Sequence, residues 1–377
     1  MYMKYIENKN LNLLSINFII PVGNKTIFNN KINKFAHLIE HLIFHGSSKY
    51  TQYELLFKIE ELGGIFNAQT NDYYTELYLR ITEDNVIEAI ELILDALIHF
   101  DISEDDYNSE VEIIKIEDKQ ANSNVDFIVD TMLTKCLNHV KNDNIPSFND
   151  IIKIYKNIYN NWSLVIMGKL EKTKIEKIRN LVNDEGEPKY SFSDNLLYKH
   201  LDFKYKFINK ALDKNDNLFL YVFRCSDKTD TLTMKLIKNI YVNGLSSILY
   251  DKLVSDFNYC YNINFRDYSV HNNFFIIYFT HDNNSNLLLS DAKKLFVDVF
   301  NIKYINSLKS TDIKRAVNMV ITEAYLKFER SSAQINDTID NYLFERDVTI
   351  TNNYLDKLKS MSEEDIKLLL ALAIGRE

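Results

Sequence analysis

The chain has 377 residues, 46% hydrophobic, 26% charged and 13% aromatic, a globular composition that excludes disordered, collagen-like and low-complexity classes. Lys and Arg number 44 against 53 Asp and Glu, and the formal charge of -9 argues against a nucleic-acid backbone as partner. With only 8 glycines and 3 prolines, dinucleotide-binding loops and Pro-rich linkers have little material to draw on.

At roughly 150 residues per domain the length predicts two or three domains, each able to bury a core without staples. The cysteines, Cys136, Cys225 and Cys260, are odd in number, far apart and without a CxxC. A disulfide framework and a cysteine-based zinc site are therefore not expected, which fits a reducing compartment. The N-terminal stretch lacks the apolar region of a signal peptide and the Arg-rich amphipathicity of a transit peptide. No run approaches the roughly 18 apolar residues of a membrane span. The expectation is a soluble, cytoplasmic protein.

Residues 11–21 alternate loosely and are rich in Leu and Ile, which predicts a strand. Phe35, Leu38, Ile39, Leu42 and Ile43 then form the stripe of a buried helix, and Tyr53, Leu56, Ile59 and Leu62 that of a second. Gly63-Gly64 ends the second helix, because the residue after a helix favours the left-handed region that glycine tolerates. Residues 65–81 predict two strands around the polar Asn71-Asp72, and 84–99 a helix with the stripe Val86, Ala89, Ile90, Ile93, Leu94, Leu97 and Ile98. Further on come a helix at 103–120, a strand at 162–168 and a helix at 172–182. Strands and helices mix without strict βαβ alternation, so the fold class is α+β.

The polar, Pro-containing segment 183–200 separates two halves. The second half echoes the first: 75–97 and 274–300 each read as a strand, an Asp/Asn turn and a helix of similar length. The expected organisation is two related α/β-sandwich domains, each a mostly antiparallel sheet packed with helices. Their bounds are 1–185 and 201–377, with 186–200 as linker.

The chemistry-bearing motif is His37-Leu38-Ile39-Glu40-His41. His37 and His41 are four apart, so both imidazoles leave one helix face and can reach one zinc ion. Glu40 projects beside them, where a carboxylate can deprotonate a zinc-bound water. The order HxxEH inverts the commoner HExxH and keeps its mechanics. The bland alternative is a solvated helix face carrying two histidines. A third protein ligand would leave one position open for water. Glu110 and Glu117, seven apart, share a helix face with Ile113 and Ile114; Glu112 and Asp118 lie off it. Carboxylates on an apolar face need a partner, either a metal or lysines.

These residues, together with Asn17-Phe18, Pro21-Val22-Gly23, Phe35 to Gly46, Gly63 to Ala68 and Glu110 to Glu117, resemble the pitrilysin family of zinc peptidases, the inverzincins. The likeness is closest to the small members akin to mitochondrial processing peptidase. The first half aligns almost throughout, the second in outline. The resemblance implies that His37, His41 and Glu117 bind zinc, that Glu40 is the general base, and that Glu110 is a catalytic-site carboxylate steadying the ligands. It implies that the strand around Asn67 and Ala68 receives the peptide substrate by strand addition. His45 is expected to be structural.

In the second half Ser246-Ser247-Ile248-Leu249-Tyr250 matches a family segment that is followed by an Arg and, seven residues on, a Tyr, which hold substrate. Tyr261 fits the Tyr position, but Val254 stands where the Arg is expected. This departure favours a second two-domain chain of the same family as partner, a zinc-less heterodimer mate rather than a homodimer copy. The alternative is that Arg266 substitutes. The length, matching one half of a clamshell, points the same way. The functional expectation is a zinc-dependent endopeptidase that cleaves short or unfolded peptides, for instance processing a peptide precursor. The competing expectation is a non-catalytic peptide-binding or assembly subunit that keeps the fold.

Overall fold

Leu14–Ile20 forms a strand (β2) buried along its whole length, as suits an apolar run in the middle of a sheet. It belongs to a computed structural model that describes residues 2–24, 27–28, 31–32, 35–45, 47–121, 124–136, 145–158, 162–183, 203–227, 229–268, 273–282, 288–341 and 350–375. The segment 186–200, expected as the linker, lies outside the described residues. The chain divides into two compact units, one drawn from 1–124, 138–197 and 331–339, the other from 125–137, 198–330 and 340–377.

In the first unit β2 is the middle strand of a five-stranded sheet ordered β1-β7-β2-β6-β5. Its other strands are β1 (Tyr2–Glu7), β5 (Ile65–Thr70), β6 (Thr75–Ile81) and β7 (Ser163–Gly168). Among the described residues of this sheet only β1 and β7 run parallel. A short hairpin, β3 (Ile27–Phe28) with β4 (Lys31–Ile32), stands apart from the sheet. Ile16, Phe18 and Ile20 of β2 and Leu77, Leu79 and Ile81 of β6 belong to one buried cluster. It also takes Phe35, Leu38, Ile39 and Leu42 of helix α1 (Phe35–Ile43), and Val86, Ala89, Ile90 and Ile93 of α3 (Val86–Ile98). Burying an aliphatic side chain of this size contributes about 1.5–3 kcal/mol, so this stripe fixes which way α1 turns its polar edge.

Helix α2 (Gln52–Glu61) starts at a capping box in which Thr51 and Glu54 satisfy each other's backbone N–H. It stops at Gly63, whose φ of 78° is the left-handed region, as expected from the sequence. Gly64 answers to space instead: a Cβ there would sit 2.8 Å from Ile59 and 2.9 Å from Leu79. The pair thus turns the chain tightly into β5, the edge strand. The polar Asn71-Asp72 lies in the turn between β5 and β6, where Asn71 Oδ1 accepts the backbone N–H of Tyr73 and Tyr74.

The second unit has a four-stranded antiparallel sheet ordered β10-β11-β9-β8, with β8 (Tyr205–Ala211), β9 (Asp216–Arg224), β10 (Asn264–Asp267) and β11 (Phe274–Asp282). Its core is aromatic: Phe219, Tyr221, Phe223, Phe275, Phe279, Phe296 and Phe300 are all buried. The echo seen in the sequence has a counterpart here. β6 leads into α3 as β11 leads into the helix Leu289–Val299. The antiparallel pair β2/β6, with β5 beside it, matches β9/β11 with β10 beside it. Among the described residues no strand takes the place of β7, so β8 lies directly against β9. The mixed α+β class with helix-packed, mostly antiparallel sheets is as expected. The unit boundary is not sequential, since α5 (Val125–Cys136) groups with the second unit. Arg266 of β10 lies 2.7 Å from Asp126 and 3.0 Å from Asp130 of that helix, and Tyr278 of β11 donates to Asp126 at 2.6 Å.

Candidate metal centre

Helix α1 buries its apolar stripe completely, which leaves His37, Glu40 and His41 half-buried along its other edge. Helix α4 (Glu104–Ala121) packs beside it. Ser103 and Asp106 form the capping box at the start of α4: the Ser103 N–H and hydroxyl donate to Asp106 Oδ2 at 2.9 and 2.6 Å, and Ser103 Oγ accepts from the Asp106 N–H at 3.1 Å. From this fixed start, Asp106, Glu110 and Glu117 follow at four and seven residues and face α1. Ile114 is fully buried on this side, whereas Ile113 is 42% exposed. The expected apolar face therefore needs correcting. Ile113 points to solvent because, one residue before Ile114, it sits about 100° away around the helix.

The two helices meet as a ladder of histidines and carboxylates. His37, His41 and His45 recur every four residues on one side. Glu117 Oε2 lies 3.4 Å from His37 Nε2 and 3.7 Å from His41 Nε2. Glu110 spans the next interval, with Oε2 2.8 Å from His41 Nδ1 and Oε1 2.7 Å from His45 Nε2. Asp106 Oδ1 closes the ladder 3.2 Å from His45 Nδ1. Glu110 is only 8% exposed, so an ionised carboxylate there depends on these partners.

The Nε2 atoms of His37 and His41 are 3.2 Å apart. With Glu117 Oε2 they make a triangle whose sides are 3.2, 3.4 and 3.7 Å. Ligands held at the Zn–N and Zn–O distances of a tetrahedral site stand about 3.3 Å from one another. The chemistry of the donors agrees. A carboxylate only accepts, so the His41–Glu110 contact places the His41 proton on Nδ1 and leaves Nε2 bare for a cation. Burial, with His41 beside it, holds the His37 imidazole below its ordinary value, which favours the neutral form that binds metal. Two imidazoles and one carboxylate are the three protein ligands that a catalytic zinc takes. Glu40 lies close enough to act electrostatically on His37, and among the described residues its carboxylate has no hydrogen-bond partner. A base needs such free lone pairs.

The first unit therefore brings His37, Glu40, His41, Glu110 and Glu117 together. Asn67 and Ala68 lie on β5, which among the described residues is paired on one side only, to β6. The Ala68 N–H donates to Oδ1 of Asn67 at 2.8 Å rather than into the ladder, so it faces the open edge. Tyr261 stands in the second unit, 93% exposed, beyond a π-helical turn at Asp251–Asp256. Val254, at the place of the expected Arg, packs against the aromatic core. Arg266 is held by Asp126 and Asp130 and lies over the Tyr278 ring, 5.2 Å from its centroid. His45, expected to be structural, lies outside the ligand triangle and bonds Glu110 and Asp106.

Residues 15–149 match the family model of insulinase, peptidase family M16. The Arabidopsis thaliana protein named probable mitochondrial-processing peptidase subunit beta is 32% identical over 97 residues, 26% of this chain and 18% of its own length. A Bacillus subtilis protein named as an uncharacterized zinc protease is 28% identical over 105 residues, 28% of this chain and 26% of its own. The matched stretches span only 18% and 26% of these relatives' own lengths. A crystal structure described as a peptidase M16 inactive domain from Pseudomonas fluorescens superposes with a TM-score of 0.77 at 15% identity, over 98% of this chain and 92% of that one. That likeness shows the fold. Residues 15–149, which hold the HxxEH helix, are thus similar to the M16, or pitrilysin, family of peptidases, and the whole chain shares the fold of a structure described as M16.

Proposed function

We propose that this protein is a zinc-dependent endopeptidase acting on short or unfolded peptides. The observation that carries the reading is the convergence of His37 Nε2, His41 Nε2 and Glu117 Oε2, all within 4.8 Å of one another, on one face of two packed helices. These three residues would hold the zinc. When bound there, zinc supplies a Lewis acid for the scissile carbonyl and lowers the pKa of water at the site. The peptide adds as a strand along β5, whose outward backbone groups near Asn67 and Ala68 pair with it. Glu40 accepts the proton of the attacking water as it adds to the carbonyl carbon. Glu40 then returns that proton to the amine nitrogen as the C–N bond breaks. Glu110 keeps His41 in the tautomer and orientation that ligation needs. By the family resemblance Tyr261 is a substrate-holding residue, and a second two-domain chain supplies the cation missing at Val254.

The fold by itself does not establish an enzyme, since a protein sharing it is described as an inactive domain. A non-catalytic peptide-binding subunit is therefore the second reading, and the complete ligand triangle speaks against it. The deciding experiment is Glu40→Gln. That variant is expected to bind about one zinc per chain and to lose cleavage of an unfolded peptide by about 100-fold or more. Undiminished cleavage, or a wild-type protein without zinc under metal-replete conditions, refutes the enzyme reading.

A further inference from the structure

We infer that His45 is a positioning residue of the metal centre, acting on the zinc ligand His41 through Glu110. The inference rests on the zinc reading above and adds a residue that the HxxEH motif does not contain.

Glu110 could tilt about its side-chain torsions if only His41 held it, because a long carboxylate has several rotamers open to it. Its second oxygen, however, accepts from His45 Nε2 at 2.7 Å, on the side away from the triangle. The carboxylate is pinned at both ends, and the His41 ring that donates to it at 2.8 Å is held in turn. His45 needs its own anchor, and Asp106 supplies one 3.2 Å from Nδ1. Asp106 is itself held, since its other oxygen accepts from Ser103 at the start of α4. The chain of contacts thus runs from the first turn of α4 to a zinc ligand. Groups that hold metal ligands in this way are worth roughly 10–100-fold in metal affinity or activity.

The surroundings separate this role from a packing role. His45 and Asp106 border a polar cavity of about 440 Å³ that Ser47, Lys49 and Thr51 also line. Water from that cavity can reach Glu110 if the imidazole is removed, so the fold has little reason to fail. What would be lost is the fixed direction of the Glu110 carboxylate.

The test compares wild type, His45→Leu and His45→Gln in the full chain. Leu removes the donor to Glu110, whereas the Gln amide can replace the Nε2–H. Zinc release to a chelator is the main readout, because it needs no partner chain and no turnover. H45L is expected to release zinc about tenfold faster than wild type, and H45Q within about threefold of it. In the metal-free proteins H45L is expected to unfold at a lower temperature than wild type, because the buried Glu110 carboxylate loses a partner, and H45Q close to wild type, so zinc release is compared at a temperature where all three are folded. Where cleavage is measured, H45L lowers kcat and leaves KM unchanged, because β5 is untouched.

Zinc release from H45L at the wild-type rate overturns the inference and leaves the enzyme reading standing. H45Q falling as far as H45L also overturns it, because the lost feature would then be shape rather than the donor. A wild type that holds no zinc overturns both.

Discussion

Glu76 of β6 is buried at 1% exposure, and its carboxylate accepts from the side chains of Asn17 and Gln69. Arg80 donates to the same Asn17 at 3.1 Å, so one polar cluster ties β2, β6 and β5 together. Burial outweighs these donors and raises the Glu76 carboxyl above its ordinary value of 4.5. The folded protein therefore keeps this proton to higher pH than the unfolded chain. Its stabilising effect is complete below 4.5 and is lost as pH rises through the folded value. Glu76→Gln removes the charge and keeps most of the shape. The expected difference in Tm between variant and wild type is near zero at about pH 4 and grows in the variant's favour towards about pH 8. For a unit of this size each kcal/mol gained raises Tm by roughly 2–4 °C. A difference independent of pH, or a variant less stable at the higher pH, contradicts the argument. The same scale shows what can be read from sequence. His37, Glu40 and His41 lie within one helix turn, so spacing alone sets their directions. Glu110 and Glu117 follow the same rule on α4. His45 and Asp106 escape such reading because His45 stands just past the end of α1 and its partners come from another helix 61 and 65 residues on.

At the scale of elements, the edge strand carries the substrate half of the proposed function. In an antiparallel strand alternate residues turn both backbone groups to the same side, so β5 offers a partner only every second residue. Ala68 is one of these, by its N–H bonded to Asn67 rather than to β6. Ala68→Pro deletes that outward donor and spares the β6 ladder, and an edge strand tolerates proline on its open side. The loss of one backbone hydrogen bond of about 1–1.5 kcal/mol corresponds to about a tenfold fall in kcat/KM. Zinc content and Tm should stay near wild type. Unchanged kcat/KM for an unfolded peptide would mean that substrate does not dock on β5. The elements legible in the sequence are those with strong local signals, such as the apolar run of β2, the amphipathic stripes of α1 and α3, and the Gly63-Gly64 stop. β1 carries no such signal, because four of its six residues are half-buried and neither alternation nor an apolar run stands out. α5 lacks a clear signal for a related reason. Its buried residues, Val129, Met132, Leu133, Thr134 and Cys136, include a threonine and a cysteine that a search for aliphatic stripes passes over.

At the scale of the whole molecule the two units repeat one plan but not one chemistry. The first presents the HxxEH helix where its apolar stripe forces the polar edge outward. In the second, the helix that follows β9, Thr231–Tyr241, buries Leu232, Met234, Leu236, Ile237 and Ile240 and carries no histidine. The resemblance assigns to this unit an Arg and a Tyr that hold substrate, and only Tyr261 is present and exposed. Val254 packs on the aromatic core and cannot be exchanged for a charge without exposing that contact. Nor does Arg266 stand free to replace it. Asp130 and Asp126 hold its guanidinium, and freeing it would leave two carboxylates of α5 without their cation. The cation is therefore expected from a second chain, a reading in keeping with a relative that is named as a subunit. Purified alone, the protein should bind zinc and cleave an unfolded peptide slowly. Co-purified from its native host, it should bring a chain with an Arg and a Tyr seven residues apart, and adding that chain should raise kcat/KM by about 100-fold, the scale expected when a substrate-positioning contact is restored. Light scattering on the isolated chain with a parallel peptide assay decides the matter. A homodimer already at full activity would show that Tyr261 and the neighbouring backbone suffice, and the second chain would then have no role in the chemistry.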